Sequence, residues 1–430
     1  MSTNSSITFF FIVLILSLVV FSCDLNQAEE PVLLRTDSFS GFTASNADRW
    51  VIISDSRGKI IDYKNTSDTE GVLEFRGLAG GTITVTELNI FSFEHGNETL
   101  LRHNLTSYFG VPIGNSYFVS ESENSGTPLP DPVGKAQIRL NNYSESDDPW
   151  YAIGFSDGFN SFNAWLDYDT HTYDGSTFMA DMNLREDPMD IFITSYKGSD
   201  PVYAWLRDVN VGDSVVLDFD DFSPMTTVPI NKSIHNAYIM GQNEPELSAR
   251  RHFLSWTEYW RYANYSNPGG NPSIGYIDGF NYYDVYAQIG PMLCCSPHER
   301  VAYNKLGTSV PASIHLPDYS FSLSEDNLFS LNYTFDRPYT RKNFNFSIDE
   351  ADNNLRWNIH APEGVEIKAP KIPIEIQANY PFLNSGNLPL RTARFVESLD
   401  GNTYEDFIKT RLEKVFKREP FEELEYFFML

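Results

Sequence analysis

The chain has 430 residues, of which 58 are acidic and 31 are Lys or Arg, a formal net charge of −27 at neutral pH. A field of that sign repels nucleic-acid phosphates and anionic headgroups, which argues against sequence-independent binding to nucleic acid or to a membrane surface. Hydrophobic residues make up 41% of the chain and aromatic residues 15%, and the carboxylates are scattered among the aromatics, so the composition is that of a folded protein and not of a disordered acidic tail.

The first predicted element is an apolar run from Ile7 to Phe21, ITFFFIVLILSLVVF, which ends in Ser22 and Cys23. It falls short of the ~20 residues that a membrane span needs and predicts an export signal over residues 1–22. Val20-Phe21-Ser22-Cys23 resembles the lipobox of bacterial lipoproteins, where a branched residue stands three before the cysteine and a small one directly before it. Two details depart from that pattern: Phe21 is bulkier than usual, and no Lys or Arg precedes the apolar run. The resemblance implies lipidation at Cys23, attachment to a membrane through that lipid, and a place in the bacterial cell envelope, at the outer membrane or cell surface. Residues 23–40 include Asp24, Asn26, Gln27, Glu29, Glu30 and Pro31 and show no periodicity. They read as a flexible tether.

Short β-branched runs bounded by Gly, Asp and Asn predict an antiparallel β-sandwich over 41–122. VIISDSRGKII, TSDTEGVLEF and GLAGGTITV together resemble the repeated pattern of carboxypeptidase-regulatory-like and transthyretin-like β-sandwich domains, with turns at Asp55–Gly58 and Asp68–Gly71. In that family such modules are structural or adhesive, and the resemblance implies no catalytic residue in the turns. An internal echo sets Asp48-Arg-Trp50 through Gly58 against Asp148-Pro-Trp150 through Gly158. That offset suits tandem sandwich units.

Residues 122–135, rich in Gly, Pro, Ser and Asp, read as a linker, and a second β-sandwich is expected over 136–228. It contains the loop of Asp167, Asp169, His171 and Asp174, whose three carboxylates are candidate calcium ligands, because oxygen donors at alternate positions can wrap a hard cation. The spacing is not that of an EF-hand, and no other cofactor is implied. Asp157-Gly158 and Asp278-Gly279, each in an apolar segment and followed by Phe, predict two similar hairpins.

The third unit, 235–430, is an aromatic-rich β domain. Trp256, Tyr259, Trp260 and Tyr262 crowd one stretch and are candidate carbohydrate-binding residues, since aromatic faces stack on the C–H surface of sugars. Clean alternation in Phe321–Leu323, Leu328–Phe335, Phe344–Ile348 and Leu355–Ile359 predicts half-buried strands. An apolar stripe over 403–418 predicts a C-terminal helix capped by Asn402 and stopped by Pro420, docked on a sheet. Cys294 and Cys295 are adjacent; with His298 they supply at most three ligands from one loop, too few for a structural zinc site.

No nucleophile elbow, His-Glu-x-x-His pair, P-loop or dinucleotide fingerprint occurs. The expectation is an all-β protein of tandem antiparallel β-sandwich (Ig-like or transthyretin-like) domains with a short C-terminal helix. Its expected role is non-catalytic, structural or binding, with a polysaccharide or another envelope protein as partner and no nucleic acid. The alternatives are a glycan hydrolase using a carboxylate pair and a passive spacer or assembly scaffold.

Overall fold

The computed structural model describes residues 30–37, 47–67, 72–95, 98–116, 130–144, 153–159, 168–232, 234, 236–245, 249–258, 273–289, 298–350, 353–412 and 419–430. The fold is all-β. In chain order the described strands are β1 (Val32–Asp37), β2 (Ala47–Ser54), β3 (Ile60–Asn65), β4 (Val72–Arg76), β5 (Thr82–His95), β6 (Glu98–Pro112) and β7 (Asn115–Ser116). Then come β8 (Gly134–Asn141), β9 (Gly154–Ser156), β10 (Tyr168–Tyr173), β11 (Phe178–Leu184), β12 (Met189–Lys197), β13 (Asp200–Val209), β14 (Ser214–Asp218) and β15 (Ser223–Pro224). The remainder holds β16 (Thr226–Pro229), β17 (Asn236–Gln242), β18 (Arg251–Glu258), β19 (Ser273–Tyr276), β20 (Tyr282–Ile289), β21 (His298–Gly307), β22 (Phe321–Glu325) and β23 (Asn332–Phe335). It continues through β24 (Arg341–Glu350), β25 (Asn353–Pro362), helix α1 (Ile374–Asn379), β26 (Leu390–Ser398), helix α2 (Tyr404–Leu412) and β27 (Phe421–Met429).

Twelve of these strands form one sheet, in the order β18-β17-β20-β21-β27-β26-β24-β25-β6-β5-β2-β3. The segments expected at 41–122 and at 235–430 meet in it through the parallel pairing of β25 with β6, Trp357 opposite Leu105 and Ile359 opposite Ser107. Between them in sequence, two four-stranded sheets, β10-β11-β8-β14 and β15-β13-β12-β9, face each other. Ile138, Phe155, Phe178, Met182, Ile191 and Ile193 fill the core that they share, as the inward set of a sandwich should. Among the described strands β14–β8 and β1–β7 are also parallel, so the pairing is not antiparallel throughout.

The β22–β23 hairpin covers part of one face of the large sheet, over β24, β26 and β27. Phe321 stacks on Phe428 with ring centroids 4.4 Å apart, and Phe335 on Phe395 at 4.2 Å. Such offset rings add to the burial of large apolar area.

Local turn chemistry follows the sequence where a turn closes on neighbouring strands. At Asp55–Gly58 the Asp55 carboxylate accepts from the amides of Arg57 and Lys59, both at 2.9 Å, and Gly58 takes the positive φ of 78° that the turn requires. Asp278-Gly279 behaves differently from the expected hairpin. It joins β19, which pairs with β16, to β20, which pairs with β17 and β21. The turn links two sheets because its residues fix a local bend and not a pairing partner. The region from residue 160 to 167 lies outside the described residues, as does the second transthyretin-like turn at Asp68–Gly71.

The C-terminal helix is described from Tyr404 to Leu412, and residues 413–418 lie outside the described set. Its cap is Thr403 and not Asn402. Thr403 Oγ1 accepts from the Asp406 amide at 3.2 Å while the Asp406 carboxylate accepts from the Thr403 amide at 2.9 Å, a reciprocal capping box. Tyr404 and Ile408 bury against Tyr108 and Val111, so the helix docks on the sheet. The chain does not finish with that helix. It returns as β27, between β21 and β26 in the sheet.

Candidate functional site

Alternation along β24 puts Lys342, Phe344 and Phe346 on one buried face and Arg341, Asn343 and Asn345 on the other. The two phenylalanines belong to the main core, and Lys342 ends their row at 5% exposure. Beyond β25 the chain cannot continue the ladder easily: Gly364 turns it with a φ of 74°, and Pro370 and Pro373 lack amide hydrogens. The segment 363–373 therefore crosses the end of the sheet as a loop and leads into the short helix α1.

Between this loop, the segment 328–333, α1 and the turn after it lies a cleft of ≈ 1360 Å³. Lys342, Tyr333, Tyr339 and Trp357 line it from the sheet and hairpin side, and Asn332, Gln377 and Asn384 add amides. Two large apolar side chains on the same lining, Phe329 and Ile374, are 60% and 69% exposed.

Lys342 holds the loop in place. Its Nζ donates to the carbonyl of Val365 at 2.6 Å and to the hydroxyl of Tyr333 at 3.1 Å. It lies 5.7 Å from the centroid of the Tyr333 ring and 6.0 Å from that of Tyr339. Burial pushes its amine down to about 8, against a weaker opposing pull from Glu363. The Tyr333 phenol moves the other way, well above the ordinary tyrosine range, through burial and its hydrogen bond with Tyr339. Trp357 is pinned by a hydrogen bond from Nε1 to Ser107 Oγ at 2.8 Å, and Ser107 in turn meets Thr86 at 2.8 Å. The site's aromatic surface is thus fixed before any ligand arrives.

Sequence reasoning missed Lys342. The signal was available in the register: Lys342 stands two before Phe344 and four before Phe346, so extending that strand by one pair places a lysine on its apolar face.

Of the residues singled out from the sequence, those that the structure describes do not line the cleft. Trp256, on β18, is half-buried, and its Nε1 donates to Asn236 at 3.2 Å. It packs with Tyr238, Met240 and Phe253, and Tyr238 stacks on Tyr286 at 5.1 Å. Trp256 does not line the cleft, and Tyr259, Trp260 and Tyr262 lie outside the described residues, as do Cys23, Cys294 and Cys295. Of the calcium candidates, Asp167 and the side chain of Asp169 are also outside the described set. Asp174 closes the β10–β11 turn: its Oδ1 accepts from the amides of Ser176 at 3.0 Å and Thr177 at 2.7 Å, which holds its carboxyl below the usual range. Among the described residues no group of three His, Cys, Asp or Glu side chains could hold a metal ion.

No family model, no curated protein and no solved structure matches the chain.

Proposed function

We propose that this is an exported, lipid-anchored envelope protein that binds glycan without cleaving it, and that the cleft beside Lys342 is its binding site. The observation that carries this reading is the lining of the cleft. Aromatic rings from the half-buried Tyr333 and Tyr339, with a small part of the core residue Trp357 (4% exposed), stand beside amides from Asn332, Gln377 and Asn384, and sugars present the matching surfaces: C–H faces for the tyrosine rings and hydroxyls for the amides. At ≈ 1360 Å³ the cleft exceeds the roughly 300–1,000 Å³ of ordinary small-molecule sites, which suits several linked rings better than one. Hydrolysis would require two carboxyl groups facing each other about 5–10 Å apart. Among the lining residues Glu366 carries the one carboxylate, and it pairs with Lys368 at 3.1 Å.

Titration of the mature Cys23→Ser chain with a panel of oligosaccharides, following tryptophan fluorescence and reducing-end release together, tests this. Saturable fluorescence change without release is expected, with affinity lowered about tenfold when Asn332 and Asn384 are both replaced by Ala, the size expected for losing bonds to ligand hydroxyls. Release of reducing ends would make the protein a hydrolase. Silence across neutral and acidic sugars would remove the glycan reading.

A further inference from the structure

The cleft inverts the charge of the molecule around it. Acidic residues outnumber basic ones 58 to 31 along the chain, yet the charged residues lining the cleft are Lys342, Lys368, Lys371 and a single acid, Glu366. Lys368 and Glu366 neutralise each other at the exposed rim. Lys371 is exposed, and no carboxylate among the described residues pairs with it.

Lys342 is the more telling group. A buried ammonium is costly unless an anion accompanies it, and in this site its bonded partners are neutral, a carbonyl and a phenol. An ammonium has three N–H donors, and these two bonds use two of them. The groups that face it are the phenols of Tyr333 and Tyr339 and, at longer range, the carboxylate of Glu363. An anion entering the cleft would complete the ion pair that the fold leaves open.

Resting on the glycan-binding reading, we propose that the cleft selects acidic sugars, with the carboxylate of a uronic acid residue pairing with Lys342 and Lys371 drawing it in at the rim. The charge of −27 bears on chain length: long polyanions are repelled by the molecule as a whole, so short acidic oligosaccharides or chain ends are the ligands. A uronate carboxylate is also planar and small enough to reach an amine at the base of a cleft lined by fixed rings. Its sugar ring can meanwhile stack on those rings.

Calorimetric titration with short oligomers of galacturonic, glucuronic and guluronic acid, each beside its neutral methyl ester, tests the proposal. At least one acid binds about tenfold or more tighter than its ester at neutral pH, the effect of roughly one charged hydrogen bond. That preference falls in Lys342→Gln and fades as pH rises through about 8, where the amine loses its proton. The exposed Lys371→Gln, which leaves the fold intact, reduces the preference and its dependence on salt. Equal binding of acids and esters, or a preference unchanged in both variants, overturns the proposal while leaving glycan binding in place. Binding by neither the acids nor the esters nor the neutral panel overturns both.

Discussion

Lys342 occupies a position that strand alternation assigns to the core, and its ionisation should therefore be visible in stability. The folded protein releases this proton near 8, against the ordinary lysine value of 10.5. Between those limits the unfolded chain binds more protons than the folded one, so stability from this group rises with pH across the window and is flat outside it. Relative to a Lys342→Met variant, the native chain should gain on the order of 1–3 kcal/mol between pH 8 and 10.5. Urea unfolding of both proteins across that range measures it; a difference independent of pH would mean that the amine titrates as an exposed lysine does. The same residue shows what was legible. Its register could be read from Phe344 and Phe346, but its partners could not, because Val365 and Tyr333 reach it through a loop and a hairpin that no local pattern announces.

Elements were legible where their cause is local. The alternation from Phe344 to Ile359 and the Asp55–Gly58 turn appear in the structure because side-chain period and backbone conformation are set within a few residues. The final strand was not legible. In β27 the inner face takes Leu424, Tyr426 and Phe428, while the outer face carries Phe427 under Arg300 as well as Glu423 and Glu425, which pair with Arg341, Arg300 and Arg394. Apolar residues on both faces erase the period of two that marks a half-buried strand. Its position makes a strong prediction. β27 bridges β21 and β26, which would otherwise stand about 9–10 Å apart, twice the strand spacing and out of hydrogen-bond reach. A chain ending before Phe421 should be insoluble or melt without a cooperative transition, whereas Phe428→Ala should fold and lose about 3–5 kcal/mol. Circular dichroism melts of the two variants separate the cases, and a truncated chain melting like the full one would show that the sheet closes without its last strand.

At the scale of the whole molecule, the membrane attachment proposed above raises the question of what would hold so acidic a protein there. Among the described residues no helix is long and apolar enough to cross one. A net charge of −27 works against adsorption to anionic lipid, so electrostatics supplies no second means of attachment there. On the lipoprotein reading the N-terminal lipid on Cys23 then bears the whole attachment, and its strength follows from buried acyl chain, about 0.8 kcal/mol for each CH₂. Such an anchor has a distinctive signature: it is indifferent to ionic strength and sensitive to one sulfur atom. In cells expressing the full chain, the protein should stay with the membrane fraction through a high-salt wash and incorporate labelled fatty acid. Cys23→Ser should remove the label and shift the protein to the soluble fraction. A parent protein that takes up no lipid would overturn the lipoprotein reading, whereas a Cys23→Ser variant that remains on the membrane would place the attachment elsewhere, in a contact that a repulsive surface would have to make by shape and not by charge.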